Sequence, residues 1–173
     1  MDTSNIEKRA EQILEENNCT SLPINVKGLV VNMGIKLEKI NFDDDVSGLF
    51  VIKKDKPYIC YNANQSKNRI RFTIAHELGH YLLHSKTIPL FIDKQNKVLY
   101  RDSKSSTGEI SMEIEANAFA AALLMPEKLI QNELDKMEVE EEDVIQYLAD
   151  KFSVSPQAMS FRLSNLGYDF GIF

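Results

Sequence analysis

A chain of 173 residues, 43% hydrophobic and 27% charged, is long enough to bury one sizeable core without disulfide or metal staples. Its formal net charge of −6 argues against autonomous nucleic-acid binding, which calls for a basic surplus on the binding face. No apolar run approaches the ~20 residues of a membrane-spanning helix. The polar, amphipathic start MDTSNIEKRAEQILEENN lacks the basic and apolar regions of a signal peptide, so a cytoplasmic location is expected. Cys19 and Cys60 then read as reduced thiols.

Residues 4–18 carry Ile6, Ala10, Ile13 and Leu14 at helical spacing. Pro23 is expected to open a second helix over 24–33, with Gly34 as its stop. The period then changes to two. Residues 35–40, 46–52 and 58–61 are short β-rich runs separated by turn residues such as Asp55 and Pro57, and predict a small antiparallel sheet of about three strands. Ser47-Gly48 reads as a turn or bulge, and an edge strand there could pair with an extended peptide.

Helical period returns over 66–84, followed by a hairpin pattern over 88–101. A strong helix spans 107–124, with Ser106 and Glu109 at capping-box spacing and Pro126 past its end. Three further helices are expected near 126–136, 141–151 and 156–166. The fold class is α+β: helices, a small sheet, then helices. Residues 1–130 form the expected core, and 131–173 a C-terminal helical region with helix-turn-helix flavour. Its last helix offers a single cation, Arg162, so packing or partner recognition is expected there rather than DNA contact. The acidic run from Glu133 to Asp143 reads as a solvated helix end and linker.

The segment His76-Glu77-Leu78-Gly79-His80 is an H-E-x-x-H motif. Residues four apart stack on one helix face, about 6 Å apart along the axis, so two imidazoles can converge on one Zn²⁺. Glu77, one residue round, is placed to act as general base on water that zinc acidifies to a pKa of about 7. Gly79 sits mid-helix at a cost of about 1 kcal/mol relative to alanine, which implies a close approach there, for instance by a sheet edge. His84 lies roughly 12 Å along the axis from His76, too far to share that metal. It is expected either to support the site or to bind substrate.

A catalytic zinc needs a third protein ligand and an open position. A third histidine six residues on would require glycine at 83 and histidine at 86, where this chain has Leu83 and Lys86. A carboxylate from the alanine-rich helix is expected instead. Glu113 is the choice, with Glu115 and Glu109 as alternatives. Asn117, on the same face as Glu113, is expected to orient a ligand histidine by hydrogen bonding. Arg69 and Arg71 read as structural pairings with acidic side chains or as substrate contacts. Tyr81, Tyr100 and Tyr147 are candidates for oxyanion stabilisation that nothing in the pattern separates.

Two stretches, RFTIAHELGHYLLH at 71–84 and EIEANAFAAALLMP at 113–126, resemble the ImmA/IrrE family of metallopeptidases. VSGLF at 46–50 and LADKFSVSPQAMSFRL at 148–163 extend the resemblance over essentially the whole chain. It implies a zincin-like core with a C-terminal helical region. It implies His76 and His80 as ligands, Glu77 as catalytic, and a glutamate of the E-x-E-A-N stretch as third ligand. It also implies intracellular cleavage of a helix-turn-helix repressor or antitoxin encoded nearby. The expected partner is therefore a protein, with neither nucleic acid nor membrane bound directly. The alternative is a zinc-containing module that sequesters a DNA-binding regulator without cutting it.

Overall fold

The computed structural model describes residues 3–42, 46–86, 90–94, 105–137 and 144–168. The chain runs α1 (Thr3–Glu16), α2 (Val26–Asn32), β1 (Lys36–Ile40), β2 (Val46–Lys53), β3 (Lys56–Asn62), α3 (Lys67–His84), β4 (Leu90–Lys94), α4 (Ser105–Leu124), α5 (Glu127–Leu134), α6 (Val144–Phe152) and α7 (Pro156–Asn165). The fold is α+β. The 95–101 half of the expected hairpin, with Tyr100, and the acidic residues 138–143 lie outside the described residues.

The sheet has the order β1-β3-β2-β4. β2 pairs antiparallel with β3 and β4, through Leu49↔Cys60 and Leu49↔Ile92, whereas β1 runs parallel to β3 through Leu37↔Ile59. The sheet is therefore mixed, with four strands in place of the expected three and one parallel pairing. A period of two marks a strand but carries no information on its direction. β2 lies inside the sheet, not at its edge, so the peptide-pairing edge expected at Ser47-Gly48 is not there. The expected irregularity is: the register between β2 and β4 shifts between Val46 and Gly48. Asn62, at the end of β3, donates to the Val46 carbonyl at 2.9 Å and holds the start of β2.

Helix boundaries follow local chemistry. Asn25, not Pro23, caps α2, its side chain accepting from Gly28 N at 3.0 Å. Gly34, at φ +76°, ends it. Ser66 caps α3 by accepting from Arg69 N, and Ser155 caps α7 by accepting from Ala158 N. α4 already includes Ser106, so Ser106 is not its N-cap.

The sheet packs through β2 and β3 on α3, α3 packs on α4, and α4 packs on α1. α3 is consequently buried from Thr73 to His80 without a break, as expected of a helix covered on several sides. α1 contributes Ile6, Ala10, Ile13 and Leu14 to the core, as its spacing predicts. α6 and α7 add Leu148, Phe152, Met159 and Leu163 to the same cluster.

Two arginines tie these last helices down. Arg71 on α3 donates to the carbonyls of Ile24 (2.9 Å), Ser153 (3.1 Å) and Phe152 (3.2 Å), the last two at the C-terminal end of α6. Its partners are main-chain oxygens rather than the expected acidic side chain. Burial lowers its guanidinium pKa from the ordinary value. Arg162 on α7 is 4% exposed, donates to the Met125 carbonyl at 3.0 Å and pairs with Glu7 of α1. The cation that a DNA-reading helix would present thus faces inward.

Candidate metal centre

α3 and α4 cross so closely that a Cβ on Gly79 would lie 3.2 Å from Ala116 Cα and 3.3 Å from the Ala116 carbonyl oxygen. The close approach expected at Gly79 is therefore made by α4, not by a sheet edge. The alanines of α4 allow it, and the crossing brings Glu113 over the two histidines of α3.

The three side chains form a compact triangle. His76 Nε2 and His80 Nε2 are 3.0 Å apart, and Glu113 Oε2 lies 3.4 Å from the first and 4.0 Å from the second. Ligand atoms about 2.0–2.1 Å from a tetrahedral ion are separated by roughly 3.3–3.4 Å, so these edges bracket what one ion requires. Both imidazoles are buried, while Glu113 is partly exposed, with 19% of its side chain accessible. The donor set of two neutral nitrogens and one carboxylate oxygen suits a borderline-soft divalent cation, and His76, His80 and Glu113 could hold one.

The supporting contacts are specific. Asn117 Oδ1 is 2.9 Å from His76 Nδ1. His80 Nδ1 is 3.1 Å from His84 Nδ1, and His84 Nε2 is 3.0 Å from Glu115 Oε2. Glu115, the alternative third ligand, is therefore directed at His84 and away from the triangle. The side chain of Glu109 lies outside the described set. Phe72 stacks on His76 with ring centroids 6.2 Å apart. Sequence reasoning did not single out Phe72, although its position four residues before His76 placed it on the same face.

Glu77 is fully buried beside the sheet. A Cβ on Gly48 would lie 2.5 Å from Thr73 Cγ2, 3.0 Å from the Cys60 carbonyl oxygen and 3.2 Å from Glu77 Oε1. Glycine at 48 is what lets β2 lie directly against α3 at Glu77. Next to it, buried Ser47 accepts from Gln65 Nε2 and Arg69 Nη2, each at 3.1 Å. Arg69 is thus engaged with the bulged strand.

The remaining candidates make other contacts. Tyr147 donates to Glu133 Oε2 at 3.3 Å, and Tyr81 packs on Phe50 with centroids 5.4 Å apart. Glu133 is buried and not part of a solvated helix end; its hydrogen bond with Lys136 holds its carboxyl below the ordinary range. Both cysteines are free thiols. Burial, with the charges of Glu38 and Glu77 adding to it, pushes the Cys60 thiol up to about 11, so it stays protonated at neutral pH and is no nucleophile.

Known proteins share this architecture. The peptidase M78 family, described as the IrrE N-terminal-like domain, matches residues 31–164. An uncharacterized immunity region protein 2 of Bacillus phage phi105 is 28% identical over 123 residues, covering 71% of this chain and 70% of its own. The metallopeptidase ImmA of Bacillus subtilis (strain 168) is 26% identical over 122 residues, covering 70% of this chain and 64% of its own. A solved structure of a Mycobacterium tuberculosis transcriptional regulator superposes on 93% of this chain at a TM-score of 0.65 and 17% identity. This chain spans 46% of that larger protein, and the likeness is one of fold. The family match runs through the H-E-x-x-H helix and the glutamate-bearing helix alike, and this chain belongs to the ImmA/IrrE family of metallopeptidase-type proteins.

Proposed function

We propose that this protein is a cytoplasmic zinc metallo-endopeptidase that cuts a helix-turn-helix transcriptional repressor or antitoxin encoded near its own gene. The observation that carries the reading is the triangle of His76 Nε2, His80 Nε2 and Glu113 Oε2, with edges of 3.0–4.0 Å and its two histidines on the helix that also carries the buried Glu77. In it, His76, His80 and Glu113 would hold the zinc, and Asn117 would fix the ring of His76.

Bound there, zinc supplies Lewis acidity that polarises a peptide carbonyl and eases deprotonation of water. Glu77 takes the proton as the water oxygen bonds to the carbonyl carbon. It delivers that proton to the amide nitrogen as the C–N bond breaks, leaving a carboxyl and an amine. Packing of β2 over α3 at Gly48 fixes the Glu77 carboxylate and keeps bulk solvent from it. The relative named as a metallopeptidase supports hydrolysis of a peptide bond, and the one named for an immunity region fits a regulatory setting for it. Residues 1–130 would carry the chemistry. The region 131–173 would serve packing or partner recognition, in keeping with the inward-facing Arg162.

The test is to incubate the zinc-loaded chain, and its Glu77→Gln variant, with the neighbouring helix-turn-helix repressor and follow the products by mass spectrometry. Cleavage at one or a few sites by the wild type, and none by a variant that still binds zinc, is expected. Equal cleavage by both would refute the role of Glu77. Intact repressor held in a stable complex by both would favour sequestration.

A further inference from the structure

The two histidines of the triangle are supported differently. His76 Nδ1 faces an amide oxygen, Asn117 Oδ1, at 2.9 Å. His80 Nδ1 faces a second imidazole, His84 Nδ1, at 3.1 Å, and that ring turns its other nitrogen to Glu115 Oε2 at 3.0 Å. The His80 and His84 rings lie 5.2 Å apart, tilted by 54°. His84 is 7% exposed and the Glu115 side chain 14%.

We infer that His84 and Glu115 form a positioning pair that holds His80 in the tautomer and ring orientation able to bind a metal through Nε2. The inference rests on the proposed metal site. A neutral imidazole that offers Nε2 to a cation keeps its proton on Nδ1. His80 Nδ1–H then donates to His84 Nδ1, which must be without a proton. The proton of His84 therefore sits on Nε2 and donates to Glu115, whose ionised carboxylate only accepts. Each bond leaves one arrangement for the next, so a carboxylate two positions beyond the ligand Glu113 sets the direction of the whole chain. α4 thereby contributes the third ligand at 113, the anchor of one histidine at 117 and, through His84, the anchor of the other at 115. Partners of this kind fix ring orientation and raise ligand basicity, and their loss costs 10–100-fold in metal affinity.

The experiment measures zinc affinity by chelator competition, and the visible spectrum of the cobalt-loaded protein, for the full-length wild type, His84→Leu, Glu115→Ala and Glu115→Gln. Thermal melts of the metal-free forms run in parallel. Expected are a roughly 10–100-fold weaker zinc affinity and a shifted cobalt spectrum for His84→Leu and Glu115→Ala. Partial recovery is expected in Glu115→Gln, whose amide oxygen still accepts. Should His84→Leu fail to fold, the two Glu115 variants decide. Wild-type affinity and spectrum in His84→Leu and Glu115→Ala would overturn the positioning role and leave the metal site standing. Equal stability loss in the metal-free forms, with Gln no better than Ala, would also overturn it. A wild type that binds neither zinc nor cobalt would overturn both readings.

Discussion

Asn117 Oδ1 lies 2.9 Å from His76 Nδ1, one turn of α4 beyond Glu113. An amide oxygen at that distance accepts the imidazole proton and leaves Nε2 free for a cation. Replacing Asn117 by alanine should weaken zinc binding about 10-fold or more while leaving the metal-free melting temperature nearly unchanged. Chelator competition and calorimetry on the same samples check this. Unaltered affinity would show that His76 is oriented by packing alone, for instance by Phe72.

Gly79 marks the contact on which the site depends. A methyl group there meets Ala116 Cα and Phe119 Cδ1, both at 3.2 Å, and one of these is backbone that cannot swing away. Overpacking of this kind costs about 1–3 kcal/mol, against a gain of about 1 kcal/mol from alanine's better helix propensity. Gly79→Ala should therefore lower the melting temperature by a few degrees. It should also weaken metal binding, because α4 must shift and carry Glu113 with it. A stabilised variant would mean that the α3–α4 crossing has slack.

Arg162 joins α7 to α1 and to the end of α4 through Glu7 and the Met125 carbonyl. Removing it leaves a buried carbonyl and a half-buried carboxylate without their cation. Arg162→Met should destabilise the fold by about 2–3 kcal/mol in urea unfolding. A neutral result would imply that α7 is held by its apolar face, through Met159 and Leu163.

Cys60 provides a test of packing around Glu77 in the alkaline range. Its thiol is raised from an ordinary value of 9.0 to about 11, chiefly by burial and then by Glu38 and Glu77. A raised pKa contributes stability in full below the unfolded value, lost as pH rises through the folded one. Stability should thus fall between pH 9 and about 11. Cys60→Ala should flatten that limb, and Cys60 should resist alkylation at pH 8 in the native state. Rapid native alkylation would show that β3 opens readily.

Helices were legible where spacing and caps agreed. The apolar spacing of α1, the helical period over 66–84 and the stop at Gly34 all act within a few residues, so sequence exposes them. The parallel pairing of β1 with β3 was not legible, since it depends on a crossover through β2 that strand periodicity does not encode. Convergence of Glu113 on His76 and His80 could be expected from the alanines of α4 but not placed, because it depends on a helix crossing set by Gly79 and Ala116. The contact between His80 and His84 follows from the same four-residue spacing as that between His76 and His80. Measuring the position of His84 from His76 alone hid it. The inward turn of Arg71 and Arg162 onto carbonyl oxygens had no local signature, as their partners lie far along the chain.

X-ray absorption at the zinc edge of the loaded chain tests the central claim most directly. Two imidazole nitrogens and low-mass oxygen ligands, all near 2.0–2.1 Å and without sulfur, are predicted, with one imidazole lost in His76→Ala. A sulfur neighbour, or a spectrum that His76→Ala and Glu113→Ala leave unchanged, would contradict it.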